Sequence, residues 1–581
     1  MRGLEAIAEQ LRLLEVRDVF TFLSRDTCKL VAELSIRGVR AHHTRHEQVA
    51  VGMADGYWRA GGRVGVAIVG EGVGLTNSIN ALVTASKARS GVVVLTGFIT
   101  GGVGVPGADA GAARLSHKYT DQRALLDSLG VRHVELLSPA SAAADIRACF
   151  ESARSGGGAV VVNMPHALLE GPAGDPLPRP QVDAPSDPIE LSEADKTMIV
   201  DLIQTTWASH RIVILAGRGA VRSGARTALL HVAEATGALL GTTVMGKGMF
   251  SGSPYAVGVV GTFATPVASE LLQSADLVLS FGASLNDHTT YLGSIFGKAR
   301  IIQIDDDGRA LGRYRSVDLG VVADARLAAM ALADELQRRG HRAVGYRTED
   351  TAARIATFRI EDSFTDRSTA VGLDPRTLMV GLNGILPPER TVVVDGGNHM
   401  EFPIKYLAVP DPTGFVWPIE YAAIGCALGN ALGAAVARPE RLTVLCIGDG
   451  GLMMTLADID TAVRYRLRVV VVVSDNAALG AELYYLQDHG YVGDDARSDN
   501  PSFEAVARSL GLESATVRTI AELGILRDRL AGLRGPMLVD CKITNDVQAD
   551  FRSVLDLFDR KRHQRELAEL TTIAERPAPS A

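Results

Sequence analysis

Two continuous apolar runs, 442–447 and 469–473, stand out in the last third of the chain. Runs of this length with no alternating polar positions are typical of strands buried on both faces, as in a parallel sheet covered by helices. Between them, 455–465 reads as a crossover helix. The same grammar recurs upstream. Residues 159–165, 211–216, 275–281, 300–304, 391–394 and 538–542 are expected strands, 1–16 a first helix, and 49–57 a helix that follows a short strand-like run. This βα alternation with glycine-rich turns predicts an α/β protein of three doubly wound parallel-sheet domains, over 1–170, 189–340 and 370–545. A linker with six prolines occupies 171–188, a charged, strand-poor crossover 337–366, and a polar tail 546–581.

Composition narrows the class. A chain of 581 residues with 47% hydrophobic content can bury several cores. The net charge of −8 comes from interspersed acids and bases with no basic stripe, which argues against a nucleic-acid partner. No apolar run reaches the 18 or so residues of a membrane span, and the charges throughout 1–16 argue against a secretory signal. Cys28, Cys149, Cys426, Cys446 and Cys541 lack ligand spacing and read as reduced thiols of a cytoplasmic protein.

The chemistry is concentrated where the two apolar runs end. Gly448-Asp449-Gly450-Gly451 follows the first, and Ser474-Asp475-Asn476 closes the second, with 27 positions between Asp449 and Asn476. A crossover helix between them brings both to the carboxyl ends of parallel strands, where open α/β sheets bind ligands. A carboxylate, a carboxamide and a nearby backbone carbonyl suit Mg²⁺, and the glycines let a diphosphate approach backbone amides. Alone, Gly-Asp-Gly is a common turn. Its pairing with the distant Asn makes it specific.

That pairing resembles the diphosphate-binding signature of thiamine-diphosphate (ThDP) enzymes of the acetolactate synthase and pyruvate decarboxylase type. Arg45-His46-Glu47-Gln48, Gly70-Glu71-Gly72-Val73-Gly74-Leu75-Thr76-Asn77, Thr243-Val244-Met245-Gly246-Lys247-Gly248 and Asp395-Gly396-Gly397-Asn398-His399 extend the resemblance collinearly over 5–545. It implies that Glu47 bonds N1′ of the cofactor and favours its imino tautomer. It places Asn398, His399, Gly448, Gly450 and Gly451 at the diphosphate, and Ile424 between the cofactor rings. Asp449, Asn476 and the Ala478 carbonyl become the Mg²⁺ ligands. Glu482, six positions after Asn476, and Asp26 match a catalytic carboxyl pair, whose pKa values the substrate carboxylate would raise. Glu71 adds a third acid where Ser or Thr is usual.

The departures fall on loops that face the substrate. Ser24-Arg25-Asp26 stands where acetolactate synthases have Pro-Gly-Gly, and Thr120-Asp121-Gln122 where they have Phe-Gln-Glu. The decarboxylase histidine pair is missing, with His117 nearby as a substitute. FAD on the middle domain is a possible but unfavoured expectation, because Ser284-Leu285-Asn286-Asp287-His288 lacks the two arginines of the family's segment. The resemblance implies a ThDP- and Mg²⁺-dependent enzyme cleaving or forming a C–C bond next to a carbonyl: a 2-oxo acid decarboxylase or carboligase. A 2-hydroxyketone lyase, a diketone hydrolase and a non-catalytic ThDP binder are the alternatives. It also implies a homodimer or homotetramer with active sites at the subunit interface.

Overall fold

The computed structural model describes residues 1–99, 116–173, 188–205 and 211–557, with 560, 563, 564 and 566 beyond. Most of the expected linker and the end of the expected tail lie outside the described residues. Eighteen described strands form three six-stranded sheets, parallel throughout. Sheet one holds β1 (Asp18–Thr21), β2 (Arg40–His43), β3 (Gly65–Val69), β4 (Val92–Phe98), β5 (Arg132–Glu135) and β6 (Val160–Pro165), in the order 2-1-3-4-6-5. Sheet two holds β7 (Ile212–Ala216), β8 (Leu239–Thr242), β9 (Ala256–Val259), β10 (Leu277–Phe281), β11 (Arg300–Asp305) and β12 (Leu319–Val322), in the order 12-11-10-7-8-9. Sheet three holds β13 (Arg390–Val394), β14 (Phe415–Val416), β15 (Leu442–Gly448), β16 (Val469–Asp475), β17 (Glu513–Val517) and β18 (Met537–Lys542), in the order 14-13-15-16-18-17. Sheets one and three therefore share one topology, while sheet two has the 3-2-1-4-5-6 order of dinucleotide-binding folds.

The apolar runs are what the burial requires. β3, β4 and β6 in sheet one and β16 in sheet three are buried at every position, because helices cover both faces. The expected crossover helix 455–465 is broken. Leu456–Asp458 forms a 3₁₀ turn and Ile459–Arg464 a short α-helix, and where they join the Asp458 side chain accepts the Arg45 N–H at 2.7 Å.

Sheets one and three belong to one compact unit, and sheet two to another. Within the first unit one apolar core runs across both sheets, taking in Val51, Met53 and Val94 as well as Leu428, Leu445 and Val471. Its seam is a pair of helices, Glu47–Gly61 and Ala427–Ala437, which hold equivalent places after β2 and β14. Small residues let their backbones meet. A Cβ added to Gly52 would lie 3.3 Å from the Gly429 Cα, and one on Gly56 would lie 2.6 Å from the Asn430 Cα. Sheet two has its own core on each face, around Ile214, Leu279 and Leu332 on one side and Leu215, Val278 and Ile301 on the other.

Four of the five cysteines are buried, and Cys28 is half-buried. Burial pushes the Cys149 thiol up to about 11 and those of Cys426 and Cys446 up to about 12, and Cys541 is also raised. No helix among the described residues is long and apolar enough to cross a membrane.

Candidate functional site

β13, β15 and β16 lie side by side in sheet three, and their carboxyl ends surround an open cleft. Asn398, His399, Ile424, Gly448, Asp449, Gly450, Gly451, Asn476, Ala478 and Glu482 all line it. Every lining residue falls between Pro375 and Val547, so Glu47, Asp26 and Glu71 are not among them.

The register sets Gly448 opposite Ser474, which brings Asp449 and Asn476 to neighbouring strand ends. The Asp449 carboxylate is buried and accepts hydrogen bonds from the Ala478 N–H at 3.2 Å and the Asn500 side-chain amide at 2.6 Å. Burial, with Asp475 close by, pushes it up to about 6. Asn500 also donates to Asp475 at 2.9 Å. Burial would raise Asp475 too, but Lys542 and Asn500 outweigh it and hold this carboxyl below its ordinary value. Asp449 is thus a buried carboxylate bonded to neutral donors, a setting that favours a cation.

The residues around it fit Mg²⁺. Asn476 gives its amide N–H to Asn545 at 2.7 Å, which leaves the amide oxygen as its free end. Ala477 turns through a positive φ of 52°, and no backbone N–H among the described residues reaches the Ala478 carbonyl.

The neighbouring groups suit a diphosphate. The His399 ring is buried and burial lowers it to about 4, so it is neutral, and its Nε2 has no hydrogen-bond partner among the described residues. Side chains at the glycines would fill the cradle: a Cβ on Gly448 would lie 3.2 Å from His399 Nδ1, and one on Gly450 2.7 Å from Leu479.

Ile424 is half-buried on a loop held at both ends. The wholly buried Asp395, pushed up to about 6 by that burial, accepts from the Gly425 and Ala427 N–H groups at 2.8 and 3.2 Å. At the other end Glu420 takes a two-pronged bond from Arg59, 3.0 Å at each oxygen, and Arg59 also binds Asp55 at 2.8 Å. Glu482 lies on the Gly480–Asp488 helix at the mouth of the cleft and is exposed.

Sheet one assembles a second group of residues. Glu47 opens its helix and is buried, with Oε2 accepting from Asn77 Nδ2 at 3.1 Å. Beyond β1 and β3, Asp26 accepts the Glu71 backbone N–H at 2.8 Å and the Ser24 hydroxyl. At Asp26 burial and hydrogen bonding pull the carboxyl in opposite directions. Its burial is outweighed by Ser24, the Glu71 N–H and Lys118, and its carboxyl is held below the ordinary range. The histidine that meets Glu71 is His166, at 2.7 Å. Asp26 and Glu71 are brought together, while Glu482 belongs to the cleft of the other sheet. Sequence reasoning missed Asn500, Asn545, His166 and Lys118. Asn500, Asn545 and Lys118 are single polar residues on loops and turns, and His166 opens the short helix after β6; none has a spacing to mark it.

In sheet two the loops at the switch point are bonded to one another, Gly217 N–H to the Phe281 carbonyl at 2.9 Å and Gly219 N–H to Gly282 at 3.0 Å. His288, in the segment that lacks the expected arginines, is lowered by burial.

Three family models match the chain in order: the thiamine pyrophosphate enzyme N-terminal TPP binding domain over 1–101, the central domain over 199–332, and the C-terminal TPP binding domain over 395–541. Among similar proteins, a probable acetolactate synthase large subunit of Methanocaldococcus jannaschii is 28% identical over 88% of this chain and 87% of its own. The acetolactate synthase isozyme 3 large subunit of Escherichia coli is 26% identical over 94% and 95%. A sulfoacetaldehyde acetyltransferase of Castellaniella defragrans is 28% identical over 90% and 89%.

Proposed function

This chain belongs to the thiamine pyrophosphate enzyme family, and on that premise we propose that it uses ThDP and Mg²⁺ to cleave or form a C–C bond next to a carbonyl. Its substrate in this reading is a 2-oxo acid, which it decarboxylates or joins to a second carbonyl compound. One observation carries the reading: buried Asp449, the free amide oxygen of Asn476 and the Ala478 carbonyl converge beside the unpartnered His399 Nε2 on one cleft. Asp449, Asn476 and Ala478 would hold Mg²⁺, and His399 with the Gly448–Gly451 backbone would hold the diphosphate. ThDP, when bound, supplies a carbon nucleophile that attacks a carbonyl and then accepts the electrons of the broken C–C bond.

The chain's own groups do the rest. Glu47, with one oxygen fixed by Asn77, would have the other free to hold a proton for the aminopyrimidine N1′. Ile424, on its doubly anchored loop, would be the residue that packs between the two rings of the cofactor. Glu482 at the mouth would be the carboxyl group that meets the substrate's carboxyl end.

A second copy of the chain completes the site in this reading. Glu47 does not line the cleft, and exposed apolar residues sit beside both groups, Leu479, Tyr485 and Met454 at one and Phe22, Leu23 and Val73 at the other. Such exposure fits a symmetric interface that buries these apolar residues against a partner. The test is calorimetry of ThDP binding with and without Mg²⁺, then product analysis on a panel of 2-oxo acids. ThDP binding indifferent to Mg²⁺, or no 2-oxo acid consumed, refutes the reading. Light scattering that found an active 61.5 kDa monomer would refute the shared site.

A further inference from the structure

Around Glu71 sheet one builds a cluster that the proposed cofactor chemistry does not use. Glu71 and Asp26 are almost wholly buried, while the side chains of His166 and Lys118 above them are 46% and 30% exposed. His166 comes from the helix that follows β6 and places Nε2 2.7 Å from Glu71 Oε2. Lys118 Nζ lies 3.5 Å from Asp26 and 3.8 Å from the other Glu71 oxygen. The Glu71 backbone is pinned by its N–H to Asp26, and the next residue by the Gly72 N–H to Gln122 at 2.8 Å. Gln122 is held in turn by Asn163 at 2.9 Å. The same short loop carries Gly74, where an added Cβ would lie 3.4 Å from Glu47 Oε1, so Glu71 sits on the turn that flanks the activating glutamate.

From this geometry we propose that His166 and Glu71 form a proton-delivering pair that links solvent to the reaction site, with His166 as its solvent-side member. The inference rests on the reading above, in which Glu47 meets the cofactor, and extends it to Glu71 on the adjoining turn. The step balances: the imidazolium gives its Nε2 proton to Glu71 Oε2, leaving a neutral ring and a neutral carboxyl. Glu71 then gives that proton to the substrate-derived carbanion, and water on the exposed side reprotonates the ring.

Two features favour a relay over a static ion pair. The carboxylate end is buried while nearly half of the ring meets water, so the proton has a route in and a sheltered place to go. Lys118 sits nearer Asp26 than Glu71 and His166 is the closer partner of Glu71, so these last two share the exchangeable proton. Among the described residues the charged groups that face the ring are Glu71, Asp26 and Lys118; Glu71 raises its pKa above 6.5, Asp26 adds to the rise, and Lys118 opposes it.

The test has two arms on the full chain. In the first, NMR of ¹³C-histidine-labelled protein follows the titration of His166 in wild type and Glu71→Gln. A raised His166 pKa that falls back toward 6.5 in Glu71→Gln supports the pair, and an identical titration in both overturns it. In the second, His166→Gln is loaded with ThDP and Mg²⁺. Turnover of a 2-oxo acid should drop by about 10–100-fold and lose the pH limb set by the imidazolium, with partial rescue by added imidazole. ThDP affinity and C2–H/D exchange should stay at wild-type values, a split that misfolding would not give. Unchanged pH dependence in His166→Gln overturns the relay. A wild-type chain that consumed no 2-oxo acid would count against the reading of the reaction, and the shared titration would still support the pair.

Discussion

Sheets one and three are the same six-stranded design used twice in one compact unit, with helices from equivalent places forming the seam between them. Both gather carboxylates at the carboxyl ends of their central strands, Asp26 and Glu71 in one and Asp395, Asp449 and Asp475 in the other. They differ in how the charge is balanced. In sheet one Lys118 and His166 bring cations to the acids. In sheet three Lys542 serves Asp475, but Asp449 is held by a backbone N–H and an amide. Topology decides where polar groups collect, and the loops decide whether the cluster is complete or calls for a cation.

The sharpest break of that comparison is a matched pair of substitutions. Asp449→Ala should abolish Mg²⁺-dependent ThDP retention, a loss beyond about 10²-fold, whereas Glu71→Gln should leave ThDP affinity within a few-fold. Calorimetry with Mg²⁺ decides it, and equal losses in both would erase the distinction.

Next in size, Glu47→Gln should keep ThDP bound and slow C2–H/D exchange by about 10² or more. Exchange at the wild-type rate would remove Glu47 from activation and leave sheet one without a part in it.

A third expectation concerns His399 in the cofactor-free protein. Its folded pKa of about 4 lies below its ordinary 6.5, so the unfolded chain binds the proton first as pH falls between these values. Stability contributed by the neutral ring is therefore lost on acidification through that window, by roughly 3 kcal/mol in total. Urea unfolding of His399→Gln should show a correspondingly flatter profile from pH 6.5 to 4, and an unchanged slope would contradict the neutral, buried ring.

The smallest effect tests the seam. Gly56→Ala puts a methyl group 2.6 Å from the Asn430 Cα and should cost about 1–3 kcal/mol. A urea midpoint equal to wild type would show that the helices can part without penalty.

Much of sheet three was legible because its strands are buried on both faces. Continuous apolar runs located β15 and β16 to within two residues. β14, with two residues, and β17, whose Glu513–Thr516 are not buried, carry no such signal and were not expected. The lining of the cleft was legible where residues follow one another in a motif, as in Gly448–Gly451 and Asn398-His399. Asn500 and Asn545 act through the fold alone, since each reaches its partner across 51 or 69 positions of sequence. His166 is the same case: 95 positions from Glu71, it arrives because β6 happens to end beside β4.

Thiol chemistry gives the four buried cysteines a practical meaning. Thiols react as thiolates, and pKa values of 11 or more leave almost none of that form at neutral pH, apart from the steric shielding of a closed core. Cys28 alone is partly open, two residues beyond Asp26 at the start of the Cys28–Ile36 helix. A maleimide dye should therefore take one equivalent in the native protein and five after denaturation, counted by mass. The chain thus carries a natural attachment point for a fluorophore next to the sheet-one acids, with no cysteine to remove first.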